Sequence, residues 1–186
     1  TARFGVGCGV PRFGEAVAQV KRCSVNNRSP KRKAPRRALR NSMPDTTAIE
    51  FAADFFTRYP ETWQRGTKVR DGVYVAGRSE TKEASQFGDD LIELYPNFWK
   101  HDDTTRDFIF AHEVGHVVLS RFGTSDFIRV AEACGVDPWD TDSLPFSRMN
   151  MEEAFADAFA EYHLASTELK ARHSKWHAIV KRVLAA

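Results

Sequence analysis

Residues 108–119, Phe-Ile-Phe-Ala-His-Glu-Val-Gly-His-Val-Val-Leu, constrain this chain more than any other stretch, because they set two histidines and a glutamate among apolar neighbours. A helix here is buried nearly all round, and polar side chains placed on it cost several kcal/mol unless they are paired or bound to metal. His112 and His116 are four residues apart, so they stand about 40° apart around a helix and one turn along it, where two imidazoles reach one ion from one face. Glu113 stands about 100° further round, beside that ion without sharing its bonds. It is therefore placed to take a proton from water that the ion activates, and to return it to a leaving amine. Asp102 or Asp103 as N-cap and Gly123 beyond the end predict a helix over about 103–121.

A catalytic zinc takes three protein ligands and keeps one position open, so the His-Glu-x-x-His pattern calls for a third ligand. The extended pattern with glycine and a third histidine three and six places after the second fails, since Leu119 and Phe122 stand there. The alternative is a carboxylate from a later helix. Residues 151–162, Met-Glu-Glu-Ala-Phe-Ala-Asp-Ala-Phe-Ala-Glu-Tyr, supply it. Glu153 and Asp157 share a face with Ala156 and Ala160, whose small side chains permit close approach, whereas Glu152 sits with Phe155 and Phe159. Helical phase thus selects Glu153 over Glu152. Asp157 then suits a supporting role, accepting the free ring N–H of His112 and fixing its tautomer.

The remaining chain divides by charge. A formal net charge of +2 conceals +10 over residues 1–40 and −8 over residues 41–186. Residues 1–44 combine glycine, proline, asparagine and serine with Arg28, Lys31, Arg32, Lys33, Arg36, Arg37 and Arg40, and contain too little apolar material to offset ordering entropy. They read as an extended basic arm, either a solvated tail or a binder of nucleic acid or another polyanion. Residues 45–186 read as one folded domain. A helix carrying Ile49, Phe51, Ala52, Phe55 and Phe56 ends near Pro60, strands are expected at 73–76 and 91–95, and further helices at 125–133, 150–165 and 167–184. Charges interrupt every apolar run before it reaches bilayer length, and glycines and prolines break up the first twenty residues, so neither a span nor a secretory leader is expected. Cys8, Cys23 and Cys134 form no CxxC pair, which fits a reducing, cytoplasmic setting. His173 and His177 repeat the four-residue spacing, but the lysines and arginines around them favour a solvated basic face. Trp63, Trp99, Trp139 and Trp176 are expected to be packing residues.

The string Phe-Ile-Phe-Ala-His-Glu-Val-Gly-His, followed 37 residues after His116 by Glu153 in Glu-Ala-Phe-Ala-Asp-Ala-Phe, resembles the gluzincin metallopeptidases. Within these it is most similar to the anthrax-lethal-factor-like catalytic domains found in phage minor head proteins and toxins, over roughly residues 91–165. The resemblance implies an α+β zincin-like domain with a small sheet, zinc held by His112, His116 and Glu153, and Glu113 as catalytic base of an endopeptidase acting on protein or peptide. It also implies an extended substrate lying along an edge strand, for which 91–95 is the candidate, a plain core strand being the other reading of the same residues. The alternative it brings is a virion or nucleic-acid-associated assembly protein with a vestigial or conditionally active domain, the arm serving the assembly. One position departs from the pattern: Phe146 stands where lethal-factor-like enzymes carry an oxyanion-stabilising tyrosine. A phenyl ring donates no hydrogen bond, which leaves His101, Tyr95 and Arg148 as substitutes and implies reduced or narrow activity.

Overall fold

The computed structural model describes residues 47–59, 66–72, 82–140 and 150–186. The basic arm, the strand expected at 73–76, Trp63, Phe146 and Arg148 lie outside the described residues. The described chain is α+β. Its elements are α1 (Ala48–Arg58), β1 (Lys68–Asp71), β2 (Ala84–Phe87), β3 (Leu91–Leu94), a short 3-10 turn (Phe98–Lys100), α2 (Asp103–Phe122), α3 (Thr124–Ala133), α4 (Met151–Leu164), α5 (Ser166–Arg172) and α6 (Ser174–Leu184). Among the described residues no helix is long and apolar enough to cross a membrane.

Local chemistry sets the helix ends. Thr47 and Glu50 form a capping box at α1. Asp102 caps α2 by accepting the Thr105 N–H at 2.8 Å, and Gly123, at φ 90°, ends α2 in a conformation that disfavours a side chain. The expected final helix is instead two, broken at His173, so His173 and His177 do not share one helix. Ile49, read as part of the buried stripe of α1, is 66% exposed; Phe51, Ala52 and Phe55 make the contact.

The sheet corrects the sequence reading most. Its order is β1-β3-β2, with β1 parallel and β2 antiparallel to β3. Of the two readings of Leu91–Leu94, edge or core, the core one holds: it is the central strand and carries the buried Ile92 and Leu94. The strand beside the long helix with a free outer side, among the described residues, is β2. Tyr95 N donates to Glu83 O at 2.9 Å, and pairing alternates along an antiparallel ladder, so residues 83, 85 and 87 face β3. Ala84 and Gln86 turn their amides outward.

Helix α2 packs against α4, β2 and β3. Phe110 joins Phe51, Phe55 and Phe56 of α1 in edge-to-face and tilted contacts between 4.9 and 5.6 Å, while Phe127, Phe155 and Trp176 bind α3, α4 and α6 into the same core. Trp139 departs from its expected packing role and is 68% exposed. Early residues of α2 lie by late residues of α4 and the reverse, His112 by Asp157 and His116 by Glu153, so the two helices run antiparallel. They come close together at Gly115, where a Cβ would come within 2.9 Å of Ala156 Cα and 3.1 Å of Phe159 Cβ.

Candidate metal centre

That crossing brings three donor groups to one point. His112 Nε2 and His116 Nε2 are 3.1 Å apart, and each lies 3.5 Å from its own oxygen of Glu153. The three residues offer ligand atoms all within 4.8 Å of one another. Donors at about 2.0–2.1 Å from a tetrahedral zinc stand about 3.3 Å from each other, so the spacing and the two-imidazole, one-carboxylate set both fit such an ion. Glu152 is exposed and turned away, whereas Glu153 is half-buried.

The partners of these groups favour a cation. His112 Nδ1 donates to Asp157 Oδ1 at 2.7 Å, and Asp157 is 2% exposed on the inner face of α4. Burial works against a charged His112, but the hydrogen bonds to Asp157 and Glu153 and the charges of Asp157 and Glu113 outweigh it and raise the ring to about 9. The carboxylates that favour a proton at this point favour a metal cation for the same electrostatic reason.

Glu153 owes its position to the start of α4. It stands in the first turn, where Asn150 Oδ1 accepts its backbone N–H at 2.9 Å. Glu113 faces β2 and accepts the outward N–H of Gln86. Burial raises its carboxyl above the usual range, and the opposing pulls of His112 and the Gln86 amide do not cancel that. The edge strand supplies a contact to this carboxylate that sequence reasoning missed; the polar string Ala-Ser-Gln-Phe gives little strand signal.

The described substitutes for the missing tyrosine are otherwise engaged. Tyr95 is buried and its hydroxyl donates to Glu93 at 2.8 Å, in a cluster that Arg70 completes from β1. His101 Nε2 lies 2.7 Å from Glu83. His163 packs against the rings of Phe159, Tyr162 and Tyr59, away from the donor cluster.

No family model, curated protein or solved structure matches this chain.

Proposed function

We propose that this chain is a zinc-dependent endopeptidase of the gluzincin kind, with a zincin-like fold. The convergence of His112, His116 and Glu153 beside a half-buried Glu113 is the observation that carries this reading. His112, His116 and Glu153 would hold the metal, and Asp157 keeps the His112 ring turned with Nε2 towards it. The chemistry that a bound zinc supplies is Lewis acidity, which polarises a carbonyl and eases the deprotonation of water.

Glu113 does the proton work. Its raised affinity for a proton suits a general base, which takes a proton from the attacking water and hands it to the departing amine. The Gln86 amide keeps this carboxylate aimed beside the metal rather than at it. An extended peptide fits along the outer edge of β2, where the Ala84 amide and the carbonyls of the same residues are turned outward for pairing. Among the described residues no strand pairs with the outer side of β2, which suits cleavage within a chain.

The test combines metal content with turnover. Purified protein is expected to carry about one zinc per chain and to cut members of a peptide library. Glu113→Gln should retain the zinc and lose cleavage by about 10²-fold or more. Bound zinc with no cleavage of any peptide by the parent protein would overturn the assignment.

A further inference from the structure

The cations of this molecule are not treated alike. Ahead of α4, Arg58, Lys68, Arg70, Arg106 and Arg129 each hold a carboxylate partner, while Lys82, Lys100 and Arg121 donate to Ser85, Asn97 and the Asp89 carbonyl. On α5 and α6 carboxylate partners are scarcer. Lys170, Lys175, Lys181 and Arg182 are exposed and make no ion pair among the described residues; Lys175 spends its charge on the backbone carbonyl of Gly135. Arg172 alone of this group has a carboxylate, Glu161, and Glu168 is the single acid that the two helices carry.

The arrangement is ordered by helix phase. Trp176, Ile179, Val180 and Val183 bury one side of α6. At about 100° per residue the opposite side presents Lys181, Ser174, Ala178, Arg182 and Lys175 in sequence around an arc of roughly 120°. Lys170 comes from α5 towards the same region: it and Lys181 both bear on His177, whose ring they hold below its ordinary value after burial has lowered it first. His177 Nε2 lies 3.2 Å from Ser166 Oγ, so a hydroxyl and an imidazole sit among the lysines.

We propose that this face of α5 and α6 binds the phosphodiester backbone of nucleic acid, without regard to sequence. Four exposed cations without a carboxylate partner among the described residues match a row of phosphates, and Lys175 and Arg182 are separated by a rise of about 10 Å, three base-pair steps of about 3.4 Å. An anionic membrane is the less suitable partner. A helix that lies in a bilayer surface inserts an apolar side, whereas the apolar side of α6 is spent on the core, and the exposed Ile49, Phe87 and Trp139 belong to other elements. The proposal stands apart from the peptidase assignment and survives its failure.

The experiment uses the full chain and a fluorescein-labelled DNA duplex of arbitrary sequence, with binding followed by anisotropy across a salt series. Lys170→Gln, Lys181→Gln and Arg182→Gln together should weaken binding by on the order of tenfold or more and reduce the slope of log affinity against log salt by about 2 to 3. The arm at residues 1–44 is present in both proteins, so the difference belongs to the helices. An unchanged melting temperature excludes misfolding, since the three side chains are exposed. Equal affinity and equal slope for parent and variant, or association of the parent with phosphatidylserine vesicles and not with the duplex, would overturn the proposal.

Discussion

Asp157 shows how much one side chain decides at this centre. Its carboxylate is buried, it accepts from His112 Nδ1, and through that bond it turns His112 Nε2 towards His116 and Glu153. Asp157→Asn keeps the size but swaps a charged acceptor for an amide that must compete for the same ring N–H. Zinc affinity, measured by competition with a chromophoric chelator, should fall about 10- to 100-fold. An equal affinity would mean that the ring is held by packing alone. This residue was legible in the sequence for a simple reason: four residues after Glu153 on a helix is one turn along the same face. The engagement of Tyr95 with Glu93 and of His101 with Glu83 was not legible, because both depend on strands whose pairing the sequence concealed.

At the scale of elements, the antiparallel pair of α2 and α4 determines whether the donors meet. Gly115 sits at a close contact between them, and its replacement separates two effects of opposite sign. Intrinsic helix propensity makes Gly115→Ala stabilising by up to about 1 kcal/mol. The added Cβ at 2.9 Å from Ala156 Cα demands that one backbone give way, at a cost of about 1–3 kcal/mol. Urea unfolding is expected to show net destabilisation, with a parallel loss of zinc affinity as the donors move apart; a stabilised variant would mean that the helices slide at little cost. Helix α2 was readable because its apolar residues run almost all round and its caps are explicit. Strands β1 and β2 were not. Lys-Val-Arg-Asp and Ala-Ser-Gln-Phe lie on the two outer sides of a three-stranded sheet, and such strands need few apolar residues. With β2 concealed, Leu91–Leu94 stood as the edge candidate, and its apolar content, which suits a core strand as well, marks the centre.

Across the whole molecule, burial leaves a titration that solution measurements can read. His163 is surrounded by the rings of Phe159, Tyr162 and Tyr59, and burial lowers it to about 4. In the unfolded chain a histidine titrates near about 6.5. Between those values the unfolded state binds a proton that the folded state does not, so this residue's share of stability is full above pH about 6.5 and is lost as pH falls towards 4. The loss reaches up to about 2 kcal/mol near pH 5. His163→Leu should flatten the difference between unfolding free energies measured near pH 7 and near pH 5; an undiminished difference would place the titration elsewhere. Charge also divides the chain at this scale: residues 1–40 carry +10 while the remainder carries −8, and within that remainder α5 and α6 form a second basic region, the one that the lysines and arginines around His173 and His177 mark in the sequence.

Asn150 gives the cap of α4 a wider meaning. The residue that would complete the proposed metal cage belongs to the first turn, the part of any helix that frays most readily, and the amide oxygen of Asn150 helps to keep that turn wound. On the proposed site, grip on the ion would be tied to a local melting equilibrium, so Asn150→Ala, at a cost of about 1 kcal/mol, should release zinc severalfold faster to a chelator in stopped flow while all three ligands stay intact. The affinity of such a centre can be tuned from outside the coordination sphere, by a neighbour that never touches the ion.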